Sequence, residues 1–219
     1  MEQQIIDNLF SKEKLYFNEN IHSNLTTKIQ SVLLDRKAER LLDQAEYMVQ
    51  ATINDFLNNQ LRNTAFSAVT EVNAFAQKRI DNAIIHTATN SQIVLYEVKS
   101  YIKSRENRVN DKSIYNDIVK LAIKKKELPY CEVYMLIAGR TKVLKQALVE
   151  EKTLQLPHKF LDLHNRSSIT HDLAFFKDNI EKTIFEKAVK DGIKRISISP
   201  SRWRNYEGMV VLTWRINKI

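Results

Sequence analysis

Two charged residues interrupt a run of large β-forming residues near the middle of the chain. The segment IVLYEVKS, residues 93–100, carries Glu97 and Lys99 two positions apart, so both side chains point to the same face of a strand. Charged groups in an apolar strand are costly to bury unless they are paired or bind a metal ion. Two explanations fit this pattern: a same-face ion pair on a half-exposed strand, or a site that does chemistry.

An aspartate in the preceding apolar run could supply the second carboxylate of such a site. In RIDNAII, residues 79–85, Asp81 shares one face with Ala83 and Ile85. If this run and the next pair as antiparallel strands, Asp81 lies beside Glu97, with the lysine beyond them. Two carboxylates this close repel each other, and Mg²⁺ relieves the repulsion by taking their oxygens as ligands. The alternative is that Asp81 forms a hydrogen bond in the turn before its strand.

The surrounding pattern predicts an α/β arrangement. Apolar residues at three- and four-residue spacing predict an amphipathic helix over 38–59. Three short apolar runs follow, and the Thr-, Asn- and Ser-rich segment 87–91 predicts a hairpin turn between the second and the third. Residues 111–128 return to helical spacing, and residues 131–139 form a strongly β-forming run. A strand, helix, strand succession implies a parallel crossover and a sheet covered by helices.

This set of residues resembles the PD-(D/E)XK nuclease superfamily, which includes restriction endonucleases, junction resolvases and repair nucleases. The resemblance rests on Asp81, an intervening hairpin, and Glu97-Val98-Lys99 on the next strand, and it covers residues 38–140. Ile80 stands where the family's name has a proline. On the following helix, Asp117 and Lys120 are the loose matches to the polar residues that face the site in many members.

The resemblance implies a restriction-endonuclease-like core. This is an α/β fold in which a helix, a three-stranded antiparallel run, a second helix and a parallel fourth strand follow one another, here with N-terminal helices and a C-terminal helix plus β-hairpin. It also implies that Asp81, Glu97 and the backbone carbonyl of Val98 ligate Mg²⁺, for which Mn²⁺ can substitute. Lys99 would position or activate the attacking water.

Two glutamates compete for the place of a third carboxylate. In many members the first core helix adds a glutamate to the metal site, and Glu46 matches that position. It lies on or beside the apolar face of the helix, so a glutamate that reaches past the edge of that face into water is an equal alternative. Glu71, in the first apolar run, is the competitor.

Three segments are expected along the chain: an N-terminal helical extension over 1–37, the nuclease core over 38–155, and a C-terminal part over 156–219 packed on the same domain. In the last part we expect a helix over 171–192 and two strands joined by the loop PSRWRNYEG, residues 200–208. Arginines that alternate with aromatic residues can contact phosphates and stack on bases, although a surface turn with a packed tryptophan fits as well. The candidate nucleic-acid-binding residues are Lys120, Arg140, Lys142, Arg202, Trp203 and Arg204.

Composition narrows the class of protein. The 219 residues carry 34 Lys+Arg against 26 Asp+Glu, a net charge of +8, which favours a polyanionic partner such as nucleic acid. Three glycines cannot supply a Rossmann or Walker A loop.

The single cysteine, Cys131, excludes an internal disulfide and fits a reducing cytoplasm. No apolar run is long enough to span a membrane and no secretion signal is visible, so we expect a cytoplasmic protein without a membrane partner.

Together these observations favour a Mg²⁺-dependent endonuclease that hydrolyses phosphodiester bonds of nucleic acid, DNA ahead of RNA, with a metal-activated water. A homodimer is a further expectation, because cutting two strands needs two active sites. Two alternatives remain: a non-catalytic nucleic-acid-binding module with the same fold, and an α/β interaction domain whose basic face is incidental.

Overall fold

The chain forms an α/β fold around one seven-stranded mixed β-sheet. The computed structural model describes residues 27–29, 31, 45–101, 111–140, 168–206 and 209–217, without the side chains of residues 45, 101, 111–113 and 200–212. The strands lie in the order β1-β2-β3-β4-β7-β6-β5. In chain order the elements are α1 (Ala45–Gln60), β1 (Phe66–Phe75), β2 (Lys78–His86), β3 (Gln92–Tyr101), α2 (Asp111–Glu127), β4 (Glu132–Arg140), β5 (Ile169–Asp172), a 3₁₀ helix (Leu173–Asn179), α3 (Lys182–Lys190), β6 (Arg195–Tyr206) and β7 (Met209–Ile216).

The central elements follow the order that the sequence predicts. Strands β1, β2 and β3 pair antiparallel in succession, and Asn90 in the β2–β3 turn takes a left-handed φ of 57°, a conformation that Asn tolerates better than most residues. Strand β4 then pairs parallel with β3. The intervening helix α2 makes the crossover, as expected for two parallel neighbours.

Helices cover both faces of the sheet. On one face, α1 buries Val49, Ile53 and Leu57, which are spaced four residues apart and pack against the sheet through Tyr96 and Val98 of β3. The opposite face is covered by α2, α3 and the 3₁₀ helix, whose buried residues pack on alternate positions of β3 and β4. Successive residues of β3 therefore point to different helices, and this decides which helix meets each polar side chain.

The predicted single helix over 171–192 is wrong. The chain instead forms β5, the 3₁₀ helix and α3, with Ile180 in an extended conformation between the two helices. Buried Phe176 packs edge-on against Tyr115 of α2, and the backbone N–H of Glu181 donates to Asn116 Oδ1 at 2.8 Å. These tertiary contacts with α2 hold the break in place, against a local sequence that favours a continuous helix.

The predicted loop over 200–208 is also largely strand. Residues Pro200 to Tyr206 continue β6 and pair with β7, with a register shift between Pro200 and Arg202. A proline cannot donate a ladder hydrogen bond and is often found at such irregularities. The C-terminal hairpin joins the central sheet because β7 pairs antiparallel with β4.

Several sequence-based expectations fall outside the described residues. These are the N-terminal helical extension over 1–37, apart from residues 27–29 and 31, which are helical, the first part of the predicted helix over 38–59, and both expected segment boundaries, at 37/38 and 155/156. Within the described stretches, no helix is both long enough and apolar enough to cross a lipid bilayer.

Candidate active site

The β2–β3 hairpin places Asp81 beside Glu97. The two strands pair from Ile84 opposite Val94 to Asn82 opposite Tyr96. Asp81 and Glu97 are the next residues beyond this ladder, close enough for the charge of Asp81 to act on Glu97. Asn82 points the other way and donates to the Gln50 carbonyl of α1 at 3.2 Å. The aspartate and the glutamate consequently share the α2 face, and Lys99 follows two residues later on that face.

Asp81 is largely buried and bound to the neighbouring strand. Its Oδ2 accepts a hydrogen bond from the backbone N–H of Val98 at 2.7 Å. This side-chain oxygen takes the place of a backbone carbonyl of β2 at the point where the pairing of β2 and β3 ends. Burial raises the pKa of Asp81 to about 6, and the Glu46 carboxylate adds to this, while the Val98 hydrogen bond and the Lys99 ammonium oppose it. The Val98 hydrogen bond and the Lys99 charge therefore do not fully offset the free-energy cost of burying the ionised carboxylate.

Glu97 is the most deeply buried acidic residue of the site, with 3% of its surface exposed. Its Oε1 accepts a hydrogen bond from Lys120 Nζ at 2.7 Å, whereas its Oε2 is buried and has no hydrogen-bond partner. Burial, followed by the charges of Asp117 and Asp81, raises the pKa of Glu97 well above its ordinary value. A buried carboxylate oxygen without a partner is destabilising, so this atom has an unused capacity to bind a ligand.

Lys99 lies among carboxylates at the more open side of the site. Its Nζ is 3.0 Å from Asp117 Oδ2 and 3.6 Å from Glu46 Oε1. Burial by itself lowers the pKa of Lys99, but the charges of Asp117, Glu46 and Glu97 outweigh burial and raise the pKa above its ordinary value. Lys99 is consequently a fixed ammonium at neutral pH.

Helix α2 supplies the other half of the cluster. Lys120 is 7% exposed, and its Nζ lies near Glu97 Oε1, Arg79 O at 2.9 Å and Asp117 Oδ1 at 3.0 Å. Asp117 thus bridges the two lysines, one with each carboxylate oxygen. Burial lowers the pKa of Lys120, but Glu97 and Asp117 outweigh this and raise it.

Of the two competing glutamates, Glu46 lies at the site. It lies in the first turn of α1 and approaches Lys99, with 42% of its side chain exposed. Glu71 of β1 instead pairs with Arg79, and both side chains are more than half exposed. Its left-handed φ of 52° interrupts the alternation of β1, so that Val69 and Val72, three residues apart, both pack on the α2 face.

The cluster has a surplus of negative charge. Four carboxylates, Glu46, Asp81, Glu97 and Asp117, surround the two ammonium groups of Lys99 and Lys120, which leaves two negative charges when all are ionised. This surplus and the unpartnered Glu97 oxygen fit a divalent cation. In the described part of the chain, however, no three or more His, Cys, Asp or Glu side chains are arranged so that they would hold a metal ion by themselves. A cation here would accordingly rely on two carboxylates, a backbone oxygen and water.

The candidate nucleic-acid-binding residues lie in different places. Arg140 is exposed at the end of β4, whereas Lys120 is buried in the cluster, where its donors are already engaged. Lys142 lies outside the described residues, and Arg202, Trp203 and Arg204 lie in β6, with side chains that are outside the described part. Of the two members of this group whose side chains the structure describes, Lys120 and Arg140, Lys120 lies in the candidate site.

The bridging role of Asp117 is the part of the site that sequence reasoning identified least well. Asp117 and Lys120 are three residues apart on α2 and so share a face. They alternate with Ile114, Ile118 and Leu121, which are all buried. Charged residues on the buried face of a helix are the available signal, but the sequence does not show that one aspartate contacts both lysines.

Comparisons of the chain with protein-family models, with curated protein sequences and with solved structures find no match.

Proposed function

We propose that this protein is a Mg²⁺-dependent nuclease of the PD-(D/E)XK type, with a restriction-endonuclease-like core, that hydrolyses phosphodiester bonds of DNA. The observation that carries the proposal is the buried, unpartnered Oε2 of Glu97 beside Asp81, on the sheet face that also presents the ammonium of Lys99. An ion pair on a half-exposed strand would not leave a carboxylate oxygen buried without a partner.

Three groups of the β2–β3 hairpin would hold the ion. Asp81 has Oδ2 engaged by the Val98 N–H, which leaves Oδ1, and Glu97 offers Oε2. The backbone carbonyl of Val98 is the third ligand by the resemblance to the superfamily. When bound, Mg²⁺ supplies Lewis-acid activation of water and of a phosphoryl oxygen.

Lys99 acts as a positive charge rather than as a base. Its pKa is raised by the surrounding carboxylates, so at neutral pH it carries no lone pair that could take a proton. Its N–H groups can donate to a phosphate oxygen or to the attacking water, and they stabilise the negative charge that develops during hydrolysis. Asp117 holds this ammonium at 3.0 Å and fixes its direction.

The exposure of the cluster sets the direction from which a substrate would arrive. Lys120 and Glu97 have less than a tenth of their side chains exposed, Lys99 has 16% and Glu46 has 42%. Among the described residues, the cluster therefore opens toward Glu46 and Lys99. A phosphate that enters there meets Lys99 first and the two metal-ligating carboxylates behind it.

DNA is the proposed substrate class because the chain as a whole is basic while the site is acidic. The net charge of +8 attracts a polyanion, and the surplus negative charge of the cluster attracts the divalent ion. Exposed Arg140 at the end of β4 is one phosphate-contact candidate. For a double-strand cut, two copies of the chain would act together, and this dimer remains a prediction.

The test is cleavage of circular and linear DNA, with RNA in parallel, by the purified chain in Mg²⁺ or in EDTA. We expect cutting in Mg²⁺ only. Asp81→Asn should abolish cutting, and Lys99→Met should reduce it by at least about 100-fold, the loss typical of a removed charge-stabilising donor. Lys124→Met is the matched control, because Lys124 is, like Lys99, a little-exposed lysine paired with a carboxylate, but its partner is Glu127, outside the cluster.

Three results would contradict the proposal in different ways. If the protein binds DNA in a salt-sensitive manner and cuts no nucleic acid, it is the non-catalytic binding module. If it neither binds nor cuts, the interaction-domain alternative is favoured. If cutting persists unchanged in Asp81→Asn, the activity belongs to another site or to a contaminating enzyme.

A further inference from the structure

The ammonium of Lys120 lies among oxygens of the kind that bind cations. Its ammonium lies within 3.0 Å of three protein oxygens, from Glu97, Asp117 and the Arg79 carbonyl. An ammonium has three N–H donors, so each is matched by one acceptor and the group is fully engaged. Three converging oxygens with two carboxylates among them form the type of environment that divalent cations occupy in proteins.

The two oxygens of Glu97 face different partners. Oε1 is taken by Lys120, and Oε2 is buried and unpartnered. In two-metal sites, the two ions stabilise the attacking and the leaving oxygen and lie about 3.5–4 Å apart. Here one side of the Glu97 carboxylate is already neutralised by a side chain, so only the other side remains for an ion.

Asp81 is restricted in the same way. The Val98 N–H occupies its Oδ2, which leaves one oxygen for a ligand. Each carboxylate of the hairpin therefore has one oxygen that already accepts a hydrogen bond of 2.7 Å from a nitrogen donor, and its other oxygen is the better placed ligand for an ion.

We propose that this chain binds a single divalent ion, because the ammonium of Lys120 permanently occupies the second cation position. This inference rests on the proposed function and deepens it: Lys120 is a positioning residue that replaces a second metal ion and holds Glu97 with Oε2 directed to the first. The net charge of the cluster is consistent with a single ion. When the four carboxylates are ionised and both lysines are protonated, two negative charges remain, and one divalent ion neutralises them.

Counting bound Mn²⁺ by calorimetry on the full chain tests the inference without any measurement of activity. The relevant ions are those whose binding is lost in Glu97→Gln, because Glu97 faces both cation positions. We expect one ion per wild-type chain and two ions per chain in Lys120→Ala, where the shortened side chain vacates the three oxygens. Lys124→Ala, one turn further along α2 and paired with Glu127, should keep one.

The possible results separate this inference from the proposed function. Two ions in the wild type, or one ion in folded Lys120→Ala, would overturn the single-ion inference and leave the nuclease proposal standing. No ion in the wild type would overturn both, whereas one ion without any nucleic-acid cleavage would overturn only the nuclease. If Lys120→Ala does not fold without its buried charge, the wild-type count still decides.

Discussion

At the scale of single residues, the candidate site contains two carboxylates whose ionised forms the fold disfavours. Asp81 and Glu97 both have raised pKa values, with burial as the first cause. A carboxylate whose ionisation is disfavoured by the fold lowers the unfolding free energy at neutral pH. Such unfavourable arrangements are retained where a ligand compensates them.

The metal-free protein should consequently become more stable when Asp81 is replaced by asparagine. The folded-state pKa of about 6 lies above the ordinary value of 3.8, so the folded chain holds the proton more tightly between those pH values. The contribution of Asp81 to stability therefore falls as pH rises from about 4 to 6. At pH 7.5 in EDTA, Asp81→Asn should raise the unfolding free energy by about 1–3 kcal/mol, and much less at pH 4.

Urea unfolding of the two proteins at both pH values measures this difference. Asp55→Asn, an exposed aspartate on α1, is the control and should change stability little at either pH. An Asp81→Asn variant that is less stable than the wild type at pH 7.5 would show that the ionised carboxylate stabilises the fold, contrary to its raised pKa.

Metal affinity should depend on pH through the same residue. Because Asp81 must lose its proton to ligate a cation, protons compete with the ion once the pH falls below the pKa of about 6. We expect the dissociation constant for Mn²⁺ to rise by at least roughly tenfold per pH unit below that value, because the raised pKa of Glu97, the other ligand, adds a second competing proton. Calorimetric titrations at several pH values measure it, and an affinity independent of pH between 5 and 7 would exclude Asp81 as a ligand.

At the scale of elements, the side chains of the candidate site come from three parts of the fold. The β2–β3 hairpin brings the two carboxylates together, α2 supplies Asp117 and Lys120, and the start of α1 supplies Glu46. Since α1 lies on the opposite face of the sheet, Glu46 reaches the cluster only because it is in the first turn of its helix.

The position of Glu46 leads to a comparison of two glutamates. Glu46→Gln should reduce Mg²⁺-dependent cleavage by about 10- to 100-fold, because the charge near Lys99 and Asp81 is lost. Glu71→Gln should leave cleavage within about twofold of the wild type, because its only ionic partner in the described part of the chain is exposed Arg79. Rates under single-turnover conditions decide, and the reverse order of effects would make Glu71 the third carboxylate.

The sequence predicts the β2–β3 hairpin correctly but not the two C-terminal segments over 171–192 and 200–208. The period of two along β2 and β3, with a turn between them, was enough to place Asp81, Glu97 and Lys99 on one face. The helix predicted over 171–192 failed because Phe176 and Glu181 are held by contacts with α2, which local periodicity does not contain. The loop predicted over 200–208 failed because pairing with β7 extends β6 through Pro200.

The same limit applies inside the site. Spacing shows that Asp117 and Lys120 share a face of α2, and it can suggest that they face the sheet. It does not show that Lys120 takes one oxygen of Glu97 and leaves the other without a partner. That distinction depends on how α2 packs across β3, and both the proposed metal site and the proposed single ion rest on it.

At the scale of the whole molecule, the acidic cluster lies in a chain of net charge +8. Binding to DNA should accordingly be dominated by phosphate contacts outside the cluster and should weaken with salt. For Lys99→Met, which should bind without cutting, we expect an affinity loss on the order of 100-fold between 50 and 200 mM salt if about four phosphates are neutralised. Fluorescence anisotropy with a labelled duplex measures it, and a salt-independent affinity would argue against a polyanion as the partner.

The most direct test of the account is a crystal of the full chain soaked in Mn²⁺, with anomalous diffraction recorded at the manganese edge. The account predicts one peak in contact with Glu97 Oε2 and Asp81 Oδ1, with Lys120 still bound to Glu97 Oε1. A chain that orders no ion between these two carboxylates, or that binds manganese only elsewhere, would contradict it.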